Sequence, residues 1–262
     1  MRTRRRGVID AAVGFTIKSR RTAEEARRPY DAAMARTAGL DALTDEITHC
    51  RACPRLVEWR ELVAREKRAS FRDETYWGRP IPGFGDPRAR VLLLGLAPAA
   101  HGGNRTGRVF TGDRSGDWLF GALHRAGYAN RAESVRAGDG LELRDAYVAA
   151  AVRCAPPENK PTPDERDRCA PFLAREVELL DRLRVVVTLG GFAYEAFWRL
   201  LAGRGADLPR PRPRFGHGVE VTAGGVVIVG CYHPSQQNTF TGRLTVDMID
   251  AVLARARALS EA

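Results

Sequence analysis

The chain carries one long glycine-rich loop, Gly95-Leu-Ala-Pro-Ala-Ala-His-Gly-Gly-Asn-Arg-Thr-Gly-Arg-Val-Phe-Thr-Gly-Asp-Arg-Ser-Gly116. A short apolar run, Val91-Leu-Leu-Leu94, comes before it, and an amphipathic segment, Trp118 to Ala126, follows it. This order predicts a buried strand, a loop and a helix. The six glycines of the loop allow backbone N–H groups to approach a ligand closely. Because ligands of α/β proteins bind where strands end and loops lead into helices, this loop is the first candidate binding site.

Apolar runs elsewhere in the chain predict three further buried strands, and helical segments separate them. The four predicted strands are Val91–Leu96, Ala146–Val152, Val185–Leu189 and Val226–Cys231. The predicted helices are Asp117–Ala126, Pro163–Leu183, Phe192–Leu201 and Val246–Leu259, after a helix–cysteine knuckle–helix segment between Ala42 and Lys67. Strands that alternate with helices predict an α/β fold, with a parallel sheet and helices on both of its faces.

Positive charge is concentrated at the amino terminus. The net charge is +10, and residues 1–40 contain ten basic and four acidic residues. We expect a basic, poorly ordered extension over residues 1–39 and one folded domain over residues 40–262. Such charge is typical of proteins with polyanionic partners, although a general arginine bias of the genome would also explain it. No apolar run approaches the ~20 residues that cross a bilayer, and Asp10 interrupts any signal peptide, so we expect a cytoplasmic protein without membrane contact.

Four of the five cysteines form two pairs with metal-type spacing. The pairs are Cys50 with Cys53 and Cys154 with Cys169. Structural disulfides are disfavoured in the cytoplasm, whereas two such pairs can supply four thiolate ligands. Buried apolar cysteines are the alternative, and the spacing alone does not separate zinc from an iron–sulfur cluster. We expect Cys231 to lie in the core and His49 to be solvated.

Two more polar loops follow predicted strands. One runs from Tyr232 to Thr245 and contains His233-Pro-Ser235, and the other runs from Cys154 to Pro161. Since the carboxyl ends of parallel strands meet at one edge of a sheet, these loops and the glycine-rich loop should form one cleft. The common nucleotide motifs are missing, because Gly107-x4-Gly112 is followed by Asp-Arg and not by Lys-Ser/Thr.

Several of these motifs together resemble the uracil-DNA glycosylase superfamily, and most closely its family 5, the iron–sulfur-containing type B. They are Gly95-Leu-Ala-Pro-Ala-Ala-His101, Phe110-Thr-Gly-Asp113, the four cysteines, and His233-Pro-Ser235 with Asn238, and the match covers about residues 40–259. The resemblance implies a three-layer α/β/α sandwich with a central four-stranded parallel sheet. It also implies a structural [4Fe–4S] cluster on Cys50, Cys53, Cys154 and Cys169, with zinc as the alternative. The implied partner is DNA containing uracil or another deaminated base, bound by a monomer.

The resemblance implies a role in base recognition or catalysis for each loop. Phe110 would stack on a base flipped out of the DNA, and Asn159 would hydrogen-bond to its edge. His233 would donate to the O2 side of the base as the glycosidic bond breaks. Asp113 would orient water or stabilise the developing positive charge on the sugar. Without the family, Phe110 could be a core residue, Asn159 a turn residue and Asp113 a helix cap.

The remaining implied residues shape the pocket and hold the DNA. Ala97 stands where uracil-specific families carry an aspartate, so another group must take over its work. We expect this group to be Asp113, the only acid of the loop. Ser235 and Asn238 would hold phosphates, and Arg243-Leu244 would fill the gap left by the flipped nucleotide.

Three functions are compatible with these patterns. The first is a monofunctional glycosylase that leaves an abasic site, because no lysine is placed for Schiff-base chemistry. The sheet-end loops contain one lysine, Lys160, between Asn159 and Pro161. The second is a non-catalytic iron–sulfur protein that recognises damaged bases in DNA. The third, a zinc-stabilised α/β hydrolase, is disfavoured by the absence of a nucleophile.

Overall fold

The computed structural model describes the backbone of residues 23–262 and the side chains of residues 34–262. The first 22 residues of the predicted basic extension lie outside the described residues. Helix α1 (Ala23–His49) runs across the predicted boundary at residue 40, so the division into two parts stays a prediction. Leu40, Leu43 and Ile47 form its buried face at helical spacing, and this part of α1 packs against a later helix, α5 (Pro163–Leu179).

The sheet has six strands in the order β1-β3-β2-β4-β6-β5. The strands are β1 (Phe84–Gly85), β2 (Val91–Gly95), β3 (Ala146–Ala150), β4 (Val185–Leu189), β5 (Glu220–Ala223) and β6 (Val226–Cys231). The four central strands are parallel, which confirms the predicted four-stranded parallel sheet as the centre of the fold. The two antiparallel edge strands, β1 and β5, were not predicted.

The edge strands escape prediction because neither carries a distinctive pattern of its own. Strand β1 has only two residues and depends on pairing with Tyr147 and Val148 of β3. Strand β5 forms a hairpin with β6 through Gly224-Gly225, and both glycines have positive φ (59° and 81°). Two-residue hairpin turns of this kind require the left-handed region, which glycine adopts without steric cost.

Helices cover both faces of the sheet, which makes it the middle layer of an α/β/α sandwich. The remaining helices are α2 (Pro54–Glu66), α3 (Gly103–Thr106), α4 (Arg114–Arg125), α6 (Gly191–Gly203), α7 (Gln236–Phe240) and α8 (Val246–Glu261). Every residue of β2, β3 and β4 is buried. One core cluster joins the sheet to α4 and α8, and a second joins the other face to α5 and α6. Among residues 23–262, no helix combines the length and the apolar character that a membrane span requires.

Helix caps explain where the helices begin. Helix α5 starts at Pro163 as predicted, and Thr162 and Glu165 form a capping box at this end. Helix α4 starts at Arg114, three residues earlier than predicted, because Asp113 caps it. The predicted catalytic aspartate is therefore at the junction between the glycine-rich loop and a helix.

Candidate active site and cysteine cavity

The carboxyl ends of the parallel strands open into a cavity of about 860 Å³. As predicted, the glycine-rich loop and the loops after β3 and β6 all contribute to it. Six of the predicted site residues line this cavity: Ala97, Phe110, Asp113, Asn159, His233 and Ser235. Asn238 and Arg243 do not line it. The fold thus brings together side chains that are up to 138 positions apart in the chain, from Ala97 to Ser235.

Phe110 is held in an uncommon backbone conformation at the cavity wall. Its φ is +52°, a value that bulky residues rarely adopt. The ring lies so close to Gly95 that a Cβ at that position would be 2.5 Å from Phe110 Cζ. A Cβ at Gly116 would likewise be 1.9 Å from the Phe110 carbonyl oxygen. Phe110 belongs to the core cluster as well as to the cavity lining. Gly95 therefore makes room for the Phe110 ring and Gly116 for its backbone carbonyl.

His233 lies beside Phe110, with 5.7 Å between the ring centroids and an angle of 34° between the ring planes. Burial lowers the pKa of His233 to about 4, so the imidazole is neutral at physiological pH. A neutral imidazole has one N–H donor and one acceptor nitrogen. The backbone carbonyl of His233 accepts a hydrogen bond from Asn238 Nδ2 at 2.8 Å, and Ser235 caps α7. The predicted phosphate ligand Asn238 thus holds the histidine loop.

Asp113 both caps α4 and lines the cavity. Its Oδ1 accepts a hydrogen bond from Gly116 N at 3.0 Å. Its Oδ2 packs against Gly102, where a Cβ would be only 2.2 Å from that oxygen. Burial raises the pKa of Asp113, and the backbone N–H groups of Gly116 and Ser115 oppose this rise. Asp113 therefore caps the helix through Oδ1 and lines the cavity at the same time, so the two positions are compatible.

Asn159 and Ala97 line other parts of the cavity. Asn159 ends a short 3-10 turn in which Glu158 and Asn159 have φ of +54° and +58°. This turn exposes the Asn159 amide, and no hydrogen bond to another described residue occupies it. Ala97 contributes only a methyl group. The turn interpretation of Asn159 and its predicted role in base recognition can therefore hold together.

Other lining residues were not identified from the sequence. They include the polar or charged Arg68, His101, Arg114, Gln236 and Gln237, the aromatic Trp59 and Phe71, and the Leu189-Gly-Gly191 turn. His101 packs against Tyr76, with 3.1 Å between its Nδ1 and the Tyr76 hydroxyl, and burial lowers its pKa. The Leu189-Gly-Gly191 turn could have been identified from the sequence, because it directly follows a predicted parallel strand. Trp59 and Phe71 could not, since they belong to segments outside the sheet.

The two residues of the pair Arg243-Leu244 differ in exposure. Leu244 is completely buried in the core formed by α4, α8 and the sheet. Filling a gap in DNA requires an exposed side chain, so the implied role is wrong for Leu244. Arg243 is exposed, with its guanidinium 4.7 Å from the Tyr232 ring centroid, and its role stays a prediction.

A second, smaller cavity collects the four paired cysteines. Cys50, Cys53, Cys154 and Cys169 line it together, between α2, the loop after β3 and α5. No disulfide joins them. Burial raises the pKa of Cys154 to about 12 and that of Cys169 to about 11. As predicted, Cys231 is buried in strand β6 and His49 is exposed. The structure thus brings the two cysteine pairs to one place.

Two arginines approach the cysteine sulfurs. Arg60 donates to Cys154 Sγ at 2.9 Å, and the backbone N–H of Arg153 donates to Cys169 Sγ at 3.4 Å. The buried guanidinium of Arg153 is paired with Glu176. Within residues 23–262, no three His, Cys, Asp or Glu side chains are grouped so that they could hold a single metal ion.

The structure is an α/β/α sandwich whose cavity at the carboxyl ends of the parallel strands is lined by an aromatic ring and several polar side chains. The family model described as "Uracil DNA glycosylase superfamily" matches residues 82–257. The chain belongs to this superfamily, which confirms the resemblance inferred from its motifs.

Several relatives carry the name "Type-5 uracil-DNA glycosylase". The protein of that name from Mycobacterium tuberculosis is 57% identical over 216 residues, which cover 82% of this chain and 79% of the relative. The one from Thermus thermophilus is 52% identical over 221 residues, which cover 84% and 98%. The one from Pyrobaculum aerophilum is 46% identical over 218 residues, which cover 83% and 92%.

Proposed function

We propose that this protein excises uracil from DNA by hydrolysing the N-glycosidic bond, which leaves an abasic site. One observation carries the proposal. In a chain of this superfamily, an aromatic ring, a neutral imidazole, a carboxylate and an unoccupied amide all line the same cavity. We extend the proposal to other deaminated bases such as hypoxanthine or xanthine, because Ala97 leaves room where a larger side chain would narrow the pocket.

The base must leave the double helix before it can enter this cavity. Flipping costs a few kcal/mol, and this cost is lowest for weakly paired bases, which favours damaged positions. Inside the cavity, Phe110 offers an apolar face for stacking. The Asn159 amide offers both a donor and an acceptor to the hydrogen-bonding edge of the base. These two side chains therefore account for binding and for selection of the base.

Negative charge develops on the base as the bond breaks. His233 is neutral because its pKa is about 4, so it stabilises this charge through an N–H hydrogen bond to O2 rather than as an imidazolium. A donor that is already positioned in a dry site contributes about 10²- to 10³-fold in rate. The Asn238 hydrogen bond to the His233 carbonyl keeps the donor in place.

The sugar becomes positively charged in the same transition state. Asp113 is the only carboxylate of the loop 95–116 and lines the cavity. It stabilises this charge and orients the attacking water, whose oxygen bonds to the sugar carbon as the bond to the base breaks. One proton of the water stays on the new hydroxyl, and the other is released and balances the departing base. Ser235, at the cavity rim, binds a DNA phosphate.

We further propose that the four cysteines hold a [4Fe–4S] cluster. The side chain of Arg60 is only 3% exposed, and its closest carboxylate oxygen, on Glu61, is 4.0 Å away. Its Nε has no hydrogen-bond partner among the described residues. A buried guanidinium requires a compensating anion. Four cluster thiolates would supply that negative charge, whereas four neutral thiols would not.

All four cysteines line one cavity, and four thiolates are the usual ligand set of a [4Fe–4S] cluster. Four thiolates can also hold a zinc ion, and the colour of the purified protein distinguishes the two. The role of the cluster would be structural, since it would tie α2 and α5 to the loop that carries Asn159.

An oligonucleotide assay tests the proposed activity. The protein is incubated with DNA containing one uracil, and hot alkali then cleaves any abasic site. We expect strand cleavage with uracil DNA and none with the matched thymine DNA. Borohydride should trap no covalent adduct, because no lysine forms a Schiff base. Failure of the wild-type protein to create abasic sites would refute the glycosylase activity and favour a protein that only binds damaged DNA.

The colour of the purified protein tests the proposed cluster. A brown protein with broad visible absorbance would identify the cluster, since zinc proteins are colourless.

A further inference from the structure

A buried hydrogen-bond network lies behind the aromatic wall of the cavity. Arg108 comes two positions before Phe110 in the chain, and Thr111 directly follows it. Both side chains bond to Ser134, which belongs to the segment 134–141 between α4 and β3. All three polar side chains are buried, but none of them lines the cavity. The proposed chemistry therefore does not use them directly.

The donors and acceptors of this network can be assigned from its geometry. Arg108 Nη1 donates to Ser134 Oγ at 2.9 Å. The Ser134 and Thr111 hydroxyl oxygens are 2.6 Å apart. The Thr111 hydroxyl donates to the Val109 carbonyl at 3.2 Å, so Ser134 is the donor in its bond with Thr111. One serine hydroxyl thus links the chain on both sides of Phe110.

The segment 134–141 is itself held by Asp139. Its carboxylate accepts two hydrogen bonds from the Arg108 guanidinium, at 2.7 and 3.1 Å, and three from backbone N–H groups of the same segment. Burial disfavours the charge of Asp139, but these bonds outweigh burial and hold the pKa of the carboxyl well below its ordinary value. The carboxylate is therefore ionised at physiological pH, and it fixes both Arg108 and the segment that carries Ser134.

Phe110 needs such support because its backbone conformation is unfavourable by itself. Its φ is +52°, and a bulky residue stays in this region only where the surrounding structure enforces it. Gly95 and Gly116 make room for Phe110, but room alone does not hold a residue in place. The bonds of Ser134 fix the chain before and after Phe110 and so supply the constraint.

We propose that Ser134 is a positioning residue, which holds the Phe110 ring in the orientation that stacks on the flipped base. This inference rests on the proposed base excision. Without the Ser134 hydroxyl, the two sides of Phe110 are no longer linked, and its backbone can leave the left-handed region. The ring then turns away from the base for part of the time. The segment 134–141 thus affects base binding without touching the base.

Single-turnover excision by Ser134→Ala tests this role. The variant removes one hydroxyl and leaves the ion pair between Arg108 and Asp139 in place. Loss of two hydrogen bonds of ordinary net strength should lower the excision rate about 3- to 30-fold. Ser260→Ala is the matched control, because Ser260 is also buried and its hydroxyl donates within α8, to the Arg257 carbonyl at 2.8 Å. This control should excise uracil at the wild-type rate, and melting temperatures verify that both variants fold.

A double variant distinguishes positioning from a general structural role. Phe110→Ala should lower the excision rate about 5- to 100-fold, since it removes the stacking of the ring on the base. Because Ser134 acts through this ring, adding Ser134→Ala to Phe110→Ala should cause no further loss. Additive losses would show that Ser134 acts independently of Phe110 and would overturn the proposal.

The ring of Phe110 can also be observed without excision, by NMR of protein with isotope-labelled phenylalanine rings. Phe110 is assigned as the resonance that Phe110→Leu lacks. Its ring centroid lies 5.7 Å from that of His233, so a change in ring orientation alters its magnetic environment. The resonance should shift or broaden in Ser134→Ala and stay in place in Ser260→Ala.

The outcomes separate this proposal from the proposed function. Absence of excision by the wild type would refute the glycosylase activity, and the Phe110 resonance would then still test the positioning. Wild-type excision by Ser134→Ala, an unchanged Phe110 resonance in this variant, or an equal loss with Ser260→Ala would each overturn the proposed role of Ser134.

Discussion

Replacement of Asp113 by asparagine separates the catalytic role of this side chain from its role as a helix cap. Asparagine is nearly the same size, fits against Gly102 and still offers an oxygen to Gly116 N, but it carries no negative charge. Positioned acid–base groups contribute about 10²- to 10⁴-fold in rate, and we expect Asp113→Asn to lose that much in kcat. Because burial raises the pKa of Asp113, the folded state disfavours the carboxylate. Asp113→Asn should therefore not lower the melting temperature at pH 8.

Asp113→Ala should differ from Asp113→Asn in stability but not in activity. Loss of an N-cap costs about 0.5–2 kcal/mol, which lowers the melting temperature of a protein of this size by about 2–4 °C per kcal/mol. Thr245→Ala provides a matched control. Thr245 caps α8 through its hydroxyl, which accepts from Met248 N at 3.3 Å. This variant should lose similar stability and keep full excision activity.

The assay combines single-turnover excision with thermal melting across a range of pH. The wild type requires ionised Asp113, so its rate should fall as the pH drops through a pKa above the ordinary value of 3.8. A carboxyl with a raised folded-state pKa makes the fold less stable as the pH rises from that ordinary value through the raised one. Asp113→Asn should lack both effects. Wild-type excision by Asp113→Asn at pH 7.5 would show that the charge is not needed and that Asp113 is only a cap.

Three further changes test the rest of the molecule. His233→Ala should lower kcat about 10²- to 10³-fold with little change in DNA affinity, and a loss of affinity as large as the loss in kcat would contradict this role. Because the pKa of His233 is about 4, the excision rate of the wild type should show no histidine titration between pH 5 and 8. Gly95→Ala places a Cβ 2.5 Å from the Phe110 ring. Because a packed interior cannot absorb this overlap, the ring must move, and kcat/KM should fall about 10-fold or more. The matched control Gly121→Ala, whose Cβ would meet only the flexible end of a side chain at 3.4 Å, should leave kcat/KM unchanged. Arg60→Met should lower the iron content and the visible absorbance of the purified protein. Wild-type values for both would show that the Arg60 guanidinium does not stabilise the cluster thiolates.

Local patterns determined most of the secondary structure. The apolar runs predicted the four central strands, and their carboxyl ends differ from the prediction by at most two residues. Helix α5 starts at Pro163 as predicted, and its capping box involves only the four consecutive residues 162–165. The edge strand β1 could not be predicted, since two residues form a strand only where Tyr147 and Val148 supply the hydrogen bonds.

The motifs also identified the family and most of the residues around the cavity, because parallel strands bring their following loops to one edge of the sheet. Sequence order alone could not determine which apolar side chain of the loop after β6 faces solvent. Leu244 and Phe240 are four positions apart, yet the first is completely buried and the second is 65% exposed. Helix α7 has only five residues, too few to show an amphipathic period. The orientation of this helix depends on packing between distant parts of the chain, so only the tertiary structure decides it. The same is true of the left-handed backbone conformation of Phe110, whose ring packs against Gly95.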